Sequence, residues 1–527
     1  MTDKRKTLIS LASLIAVVTA IWCVALNKTS IENWRLPTEY SGDAIQMLGW
    51  FKSVAQGDYH LFGWKNVERL NYPLVANWQN YPMYEEIPTY FLGLVAKFTN
   101  LAFAGNVGLL LVRLLAALGF WFAARCILKC SLMWSWVGAL AFALLFYHDY
   151  RSLGHLLLGF TWIVPILVAV TWRKEIEAKW MVAIGFIIGL SNPYWILASM
   201  VLILFSSKIK TMGIFLAGLV AGFLVSNLDT ILFSTHYGMI RNYFESEIYA
   251  LKPMEFFIPP SGLFGNVAKH YFNVAAVRGE MLSPYLGIVG LAGLSWMLWE
   301  WIKDKSNRLP IVQVSSIIVC ACIGGLTSMM ALFGLDMFRG ANRFSLFVAV
   351  ICLLFLVFRL SYSKLSKNVQ FFVACLIVVF SCGETICLNR PGLHAESFIY
   401  LRDIEFGKKL DGLLPNAKLY SLPPMTFPDS NPFGKVGVYD NLRPWLHTTN
   451  VSFSYGQASS QFSKLDEVIL EGLKTNNINF LEIQKNNFDG VIAPRSLFTD
   501  HGEEVIKRFN LEIYNEDFVV MMFNKNP

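Results

Sequence analysis

Hydrophobic residues form long runs along most of the chain, and short polar connections separate these runs. Runs of roughly 17 to 25 residues match the length that a helix needs to cross about 30 Å of hydrocarbon. A bilayer offers no partners to unpaired backbone groups, so helices are the expected elements. The pattern predicts membrane-spanning helices over residues 7–26, 106–128, 132–147, 154–172, 212–233, 284–302, 310–333, 344–358 and 370–388.

Two further apolar runs are interrupted. The run 88–103 contains Lys97 and Asn100, which favours a helix lying in the membrane interface over a span. The run 180–205 is broken by Asn192 and Pro193 and predicts two short helices that meet at the outer face. Lys179 precedes these two helices and Lys208 follows them. Both lysines should be cytoplasmic, so the chain must cross the membrane an even number of times between them. With two crossings here, we predict about 11 membrane segments in total.

Lysine and arginine set the predicted orientation, because basic connections stay in the cytoplasm. Lys4, Arg5 and Lys6 precede the first apolar run, which we interpret as an uncleaved signal anchor with a cytoplasmic amino terminus. The other connections predicted to be cytoplasmic contain Lys129, Arg173, Lys174, Lys179, Lys208, Lys210, Lys303, Lys305, Arg308, Arg359, Lys364 and Lys367.

The polar segments then collect on the outer face: a first loop over 27–105, the connections 148–155 and 234–283, and the chain after 389. The tail 390–527 is much more polar than the rest of the chain. Its patterns predict helices at 396–414 and 464–484, and strands at 417–422, 490–493 and 518–523. We therefore expect a transmembrane domain over 1–389 and a soluble α/β domain over 390–527 that is hydrophobic enough to fold on its own.

Composition agrees with this class of protein. The 527 residues are 55% hydrophobic and 15% charged, with a mean hydropathy of +0.46, which excludes an ordinary soluble protein. The net charge of +7 is spread over short connections, which argues against nucleic-acid binding. All nine cysteines lie in or beside apolar runs, so a disulfide framework or a zinc site is not indicated. No nucleotide or cofactor motif occurs in its required context, and metal dependence stays open.

Asp43 is the first candidate for chemistry. It follows Gly42 at a predicted helix start in the first loop. One interpretation is that its carboxylate caps the helix, since an acid there satisfies free backbone amides. The other is a general base that takes a proton from a sugar hydroxyl. Glu85 and Glu86 also have two interpretations. They are either acids that favour the start of the next helix, or one of them is a second carboxylate on the acceptor side of the site.

Basic and acidic residues gather in the other predicted outer turns. The turn FYHDYRSLGH is either a solvated turn or a site for phosphate or sugar, and its ionisable residues are His148, Asp149, Arg151 and His155. Arg339 and Arg343 lie in a second turn, where arginine forks match phosphate oxygens, and Lys252 is similar. Arg113 lies inside a span, which is costly enough to suggest a function. It would meet a lipid phosphate or pair with a neighbouring helix.

Taken in order, these features resemble the GT-C class of integral membrane glycosyltransferases, and within it bacterial multi-pass members. The similarity rests on short blocks spread over nearly the whole length: SGDAIQ, HDYRSLGHLLL, IGLSNPYW, ESEIYALKP, PYLGIVGL, FRGANRFSLF, LPPMTFPDS and SYGQ. It implies an outward-facing site and a sugar donor carried on polyprenyl phosphate. It assigns the role of base to Asp43. Many members place a second acid directly behind the first, whereas here Ala44 follows.

The resemblance further implies an inverting transfer of a hexose such as glucose to a surface glycan such as lipopolysaccharide O-antigen. The reaction would take place at the outer face of a bacterial inner membrane, with the lipid bilayer and a glycan acceptor as partners. Two alternatives remain open: a lipid-linked-sugar transporter or flippase, and a non-catalytic scaffold that binds glycan. A transporter requires broken helices near the midplane, and the break at Asn192 and Pro193 is the obvious candidate.

Overall fold

A computed structural model describes residues 3–81, 84–173, 177–206, 209–235, 241–260, 265–277, 279–305, 308–387, 393–428, 430–475, 477–498 and 512–523. The predicted domain boundary at 389–390 and the lysines Lys174 and Lys208 lie outside these ranges.

The helices of the first 387 residues are α1 (Asp3–Ala25), α2 (Ile31–Trp34), α3 (Asp43–Gln56), α4 (Glu86–Phe98), α5 (Leu101–Phe122), α6 (Leu132–Ala143), α7 (Phe146–Tyr150), α8 (Ile163–Thr171), α9 (Ala178–Gly189), α10 (Pro193–Ser206), α11 (Ile209–Ser226), α12 (Leu228–Phe233), α13 (Tyr243–Ile248), α14 (Gly265–Val274), α15 (Gly287–Lys303), α16 (Leu309–Ala321), α17 (Leu326–Leu332), α18 (Ser345–Ser361) and α19 (Lys367–Ile386). A short hairpin in the first loop pairs β1 (Asn66–Val67) with β2 (Ala76–Asn77) in antiparallel fashion.

The chain is a helical membrane protein. Among the described residues, five helices are long and apolar enough to cross a bilayer: Lys4–Ala25, Leu101–Ile127, Leu153–Thr171, Ala341–Ser361 and Lys367–Ile386. Four shorter apolar helices are Ala178–Gly189, Pro193–Leu204, Thr211–Ser226 and Leu309–Ala321. The larger number of about 11 segments, which rests on the charge pattern, therefore stays a prediction.

The interrupted runs behave as their polar residues indicate. Asn100 ends the first run: its side-chain oxygen accepts a hydrogen bond from the Phe103 amide at 2.7 Å and caps α5. The span consequently begins at Leu101, five residues before the predicted start at 106. The second run divides as predicted, because α9 ends at Gly189 and α10 begins at Pro193.

The tail contains a five-stranded sheet. Its elements are α20 (Leu393–Leu413), β3 (Lys418–Ser421), α21 (Arg443–Leu446), β4 (Ser452–Phe453), α22 (Lys464–Lys474), α23 (Phe480–Lys485), β5 (Gly490–Pro494), β6 (Glu512–Tyr514) and β7 (Phe518–Met522). The strand order is β4-β3-β5-β7-β6, with β3 parallel to β4 and β5, and β7 antiparallel to β5 and β6. The predicted strands are confirmed. The single helix predicted over 464–484 is wrong, because the chain forms two helices there.

The tail and the first loop share one hydrophobic core. Trp50 and Trp78 of the loop pack in the same buried cluster as Phe427 and Trp445 of the tail. Lys52 extends from α3 into the tail, where its ammonium group donates to the Thr448 carbonyl at 2.5 Å. This shared core argues against the expectation that the tail folds on its own.

Candidate active site

Asp43 is the first residue of α3. Gly42, not Asp43, is the N-cap of this helix, and its φ of +51° is a backbone conformation that suits glycine. The interpretation of Asp43 as the N-cap is therefore wrong. Its carboxylate still lies at the positive end of the helix dipole, a position that suits an acidic residue. The side chain is 45% exposed, so a substrate can reach it.

The segment that leads to Asp43 is fixed by helix α20 of the tail. Glu396 accepts hydrogen bonds from the Tyr40 amide at 2.5 Å and from the Ser41 hydroxyl at 3.0 Å. The Tyr40 hydroxyl donates to Asp403 at 2.7 Å, and Arg443 holds the same carboxylate through two hydrogen bonds of 2.8 and 3.0 Å. The position of Asp43 thus depends on the tail as well as on the first loop.

The connection that carries His155 packs against the start of α3. The His155 Nε2 atom lies 3.3 Å from the Asp43 Oδ2 atom. A Cβ atom on Gly154 would lie 3.0 Å from the Asp43 Cβ atom, so glycine permits this close approach. Glu39 secures the same connection by accepting from the Ser152 hydroxyl at 2.6 Å and the Gly154 amide at 2.9 Å.

Behind His155 lies a buried charge cluster centred on Glu280. This carboxylate accepts from Arg151 and from Arg343 at 2.8 Å each, and from the Asn342 amide at 3.1 Å. Burial alone would raise the pKa of Glu280, but Arg151, Arg343 and His155 outweigh burial and hold the pKa well below its ordinary value. The carboxylate therefore stays ionised and orients two arginines that lie about 190 residues apart in the chain.

We call the first hollow beside Asp43 the arginine cavity. Its volume is about 220 Å³, and its walls include Asp43, His155, Tyr194, Arg241, Arg339 and Arg343. The Arg343 guanidinium stacks 4.5 Å above the Tyr194 ring, and Arg339 is held by Glu245 at 2.8 Å. Arg241, Arg339 and Arg343 thus line one small cavity, and arginine is a residue type whose planar fork matches the oxygens of phosphate.

A second hollow, the bridging cleft, adjoins the first. It has a volume of about 550 Å³, and its walls include Asp43, Arg241, Arg339, Thr426, Tyr439 and Phe462. Asp43, Arg241, Arg339 and Tyr439 line both hollows. The carboxylate of Asp43 therefore lies on the border between a cationic cavity in the membrane part and a cleft that reaches the tail.

Glu85 and Glu86 are not brought to this border. Glu86 instead belongs to a buried cluster in which Lys65 contacts both Glu86, at 3.2 Å, and Asp229. Glu85 is buried near Ser191 and Asn192, and burial raises its pKa to about 8. Both acids are placed by tertiary packing, which the local sequence does not reveal.

Replacing Glu85 with glutamine is expected to stabilise the protein at alkaline pH. The pKa of about 8 exceeds the ordinary 4.5, so the folded state keeps a proton that the unfolded state releases between these values. The free energy of unfolding of the wild type must then fall as pH rises through this window. Thermal unfolding of the Glu85→Gln variant in detergent should match that of the wild type below pH 4.5 and occur at higher temperature above pH 8. Surface Glu32→Gln serves as the control, and an equal shift at both pH values would contradict the expectation.

The remaining predicted residues have other partners. His148 is buried, with its Nε2 atom 2.9 Å from the Thr161 hydroxyl. Arg113 pairs with Asp149 in the buried interior, which is the helix-pairing alternative. The Lys252 ammonium group donates to the Ile248 carbonyl at 3.0 Å. None of these four side chains lines the arginine cavity or the bridging cleft.

Several site residues were not predicted. Tyr194 and Glu245 fall inside the blocks IGLSNPYW and ESEIYALKP, so the resemblance could have indicated them. Glu280 and Arg241 lie in the long connection 234–283 without a local motif. Within the described ranges, no group of three or more His, Cys, Asp or Glu side chains is arranged to hold a metal ion.

Comparison with solved structures identifies the fold. The chain superimposes over 97% of its length on ArnT from Cupriavidus metallidurans bound to undecaprenyl phosphate, with 11% identity, a TM-score of 0.53 and 97% of that chain covered. It also matches the arabinofuranosyltransferase AftD from Mycobacteria, with 10% identity and a TM-score of 0.55 over 100% of its own length. The chain spans 40% of the length of AftD.

A third match is the Archaeoglobus fulgidus oligosaccharyltransferase tethered to an acceptor peptide, with 11% identity and a TM-score of 0.50, covering 93% of this chain and 70% of that one. No family model and no curated protein matches the sequence. The three structures show that the chain has the fold of the GT-C glycosyltransferases, as the resemblance implied.

Proposed function

We propose, from the premise of a GT-C fold, that the chain is a membrane glycosyltransferase with Asp43 as its base. It transfers a sugar, a hexose such as glucose, from a polyprenyl-phosphate donor to a surface glycan such as lipopolysaccharide O-antigen. The reaction takes place at the outer face of a bacterial inner membrane, with the tail on the same side.

One observation carries the proposal: Asp43 lies where the arginine cavity meets the bridging cleft. The arginine cavity suits the phosphate of the donor, because arginine binds phosphate oxygens through paired hydrogen bonds. The bridging cleft leaves room for the acceptor on the other side. A carboxylate between an anion site and an acceptor site is the arrangement that sugar transfer needs.

The chemistry follows from this placement. The acceptor hydroxyl oxygen forms a bond to the anomeric carbon of the sugar, while the bond from that carbon to the phosphate oxygen breaks. Asp43 takes the hydroxyl proton, and the electron pair leaves with the phosphate. Arg339 and Arg343 stabilise the charge that develops there. A single displacement of this kind inverts the anomeric centre.

Two contacts within the site support this arrangement. His155, at 3.3 Å from the Asp43 carboxylate, holds the side chain toward the shared border. Glu280 keeps Arg343 oriented and is not itself part of the cavity wall.

The ArnT structure contains undecaprenyl phosphate, and the shared fold favours a lipid-linked donor of this chemical type here.

The transporter alternative has less support. Asn192 and Pro193, which break the helix, line the arginine cavity together with Asp43. The break therefore belongs to the same site as the candidate base, and it does not mark a separate pathway.

Cells without this protein are expected to lose one sugar from their surface glycan and to accumulate the lipid-linked sugar. Mass and linkage analysis of the glycan, with and without a plasmid copy, tests this. A flippase would give the same result in cells, so the purified protein must also be assayed in detergent, where the two sides of the membrane no longer exist. Transfer in detergent is expected from an enzyme, and its absence would contradict the proposal.

A further inference from the structure

A third hollow, which we call the amide cleft, continues from the bridging cleft over the surface of the tail. Its volume is about 520 Å³, and its walls include Asn71, Asn77, Ser421, Gln457, Ser459 and Asp466. Thr426 and Phe462 line both the bridging cleft and the amide cleft. The two clefts are thus adjoining parts of one surface that begins at Asp43.

We propose that the amide cleft binds further sugar residues of a polymeric glycan acceptor, beyond the sugar whose hydroxyl meets Asp43. This inference rests on the proposed function and deepens it, because it assigns a binding site to the acceptor sugars that do not react. Both clefts have volumes within the range of about 300–1,000 Å³ that is usual for small-molecule sites, so each has room for sugar residues.

The chemistry of the walls distinguishes the amide cleft from the arginine cavity. Among the described residues, no lysine, arginine or histidine lines the amide cleft, whereas three arginines line the cavity next to Asp43. Side-chain amides and hydroxyls predominate, and these groups both donate and accept hydrogen bonds. A neutral ligand with many hydroxyl groups satisfies such walls, while a phosphate finds no counter-charge there.

Ser421 provides a second, independent observation. Its side chain is 2% exposed, and its hydroxyl has no hydrogen-bond partner among the described residues, although its backbone amide donates to the Ser454 hydroxyl at 2.9 Å. A buried hydroxyl without a partner costs stability. Ser421 lines the amide cleft, so rotation of this side chain into another staggered rotamer would let a ligand hydroxyl pair with it.

The floor of the amide cleft is held in place by contacts between the first loop and the tail. The Gln457 carbonyl oxygen accepts from the Asn71 amide at 3.1 Å and from the Asn77 backbone at 2.9 Å. Within the tail, Asp466 accepts from the Tyr420 hydroxyl at 2.5 Å.

At the junction of the two clefts, the Phe462 ring is 38% exposed. An exposed ring of this kind offers an apolar face for the C–H groups of a sugar.

The test measures binding without turnover. Full-length protein carrying Asp43→Asn is titrated with a disaccharide and with hexasaccharides released from the surface glycan of the source cells. Adding Ser421→Ala should weaken hexasaccharide binding by about three- to tenfold, the value of one hydrogen bond, and leave disaccharide binding unchanged. Ser10→Ala is the matched control, because it removes another buried hydroxyl without a described partner, on helix α1, which lines neither cleft.

A second cleft variant tests whether the effect of Ser421→Ala comes from lost glycan contacts or from a local change in structure. Phe462→Ala should also weaken hexasaccharide binding, whereas Phe398→Ala, which truncates an exposed phenylalanine on α20, should not. Equal weakening of both oligosaccharides by Ser421→Ala, or no effect of either cleft variant on the longer one, would overturn the inference. Transfer by the wild type to the disaccharide would then still uphold the proposed function. Failure of the wild type to transfer to any oligosaccharide would count against the proposed function instead.

Discussion

The Asp43→Asn variant is expected to lose transfer activity by about 10²- to 10⁴-fold, the usual contribution of a general base. Asparagine has nearly the same size and can keep a contact with His155, but it cannot accept the proton of the acceptor hydroxyl. The variant should still fold, because Gly42 is the N-cap of α3 and the loss of an acid from the first turn of a helix costs only about 0.3–1 kcal/mol. The loss should appear in the rate of the chemical step and not in the binding of donor.

Single-turnover transfer from a synthetic polyprenyl-phosphate sugar, measured with purified protein, checks this expectation. Asp58→Asn is the matched control, because Asp58 is another acid of the first loop and lines neither the arginine cavity nor the bridging cleft. Asp43→Glu should recover part of the activity, since it restores a carboxylate at a shifted position. Asp43→Asn protein that transfers sugar at a rate near that of the wild type would exclude Asp43 as the base.

The Arg343→Ala variant is expected to show the second largest effect, a loss of about 10²- to 10³-fold in kcat/KM for the donor, comparable with removing one preorganised donor from a charge-stabilising site. Arg343 lies in the wall of the arginine cavity and is fixed by Glu280 and the Tyr194 ring. Arg343→Lys should recover only a part of the activity, because lysine keeps the charge and loses the planar fork.

The KM for the acceptor separates this role from a general structural one. It should stay near the wild-type value in the Arg343→Ala variant, because we propose that the acceptor binds in the bridging cleft, on the other side of Asp43. Arg359→Ala provides the control. Arg359 lies in the last turn of α18, away from the site, and pairs with Glu300 of α15. A parallel rise of the KM values for donor and acceptor would show that Arg343 does not act on the donor phosphate.

The sequence predicted those parts of the structure that depend on local pattern. The spans of α18 and α19 follow from uninterrupted apolar runs, and the break at Asn192 follows from a proline that cannot continue a helix. The single spans predicted over 212–233 and 310–333 are wrong, because each run forms two helices. Asp43 was singled out as an acid that follows Gly42 at a helix start, and His155, Arg339 and Arg343 as ionisable residues in short turns between apolar runs. The structure brings these four side chains to the wall of one cavity.

The parts that were missed depend on contacts between distant segments. Nothing near Glu280 in the sequence indicates that it meets Arg151 and Arg343, which come from different helix ends. Glu85 and Glu86 resemble the acids of an exposed helix start, and only packing reveals that both are buried. The amide cleft is likewise invisible in the sequence, because Asn71 and Gln457 lie 386 residues apart.

The core shared by the first loop and the tail has a consequence for biogenesis. Lys52 leaves the ribosome early, yet the carbonyl groups that receive its ammonium group belong to residues made almost 400 positions later. Contacts with such large sequence separation form late, because a long stretch of chain must be ordered first. During synthesis the loop that carries Asp43 must therefore stay incompletely packed until the last part of the chain, which completes its core, has been made.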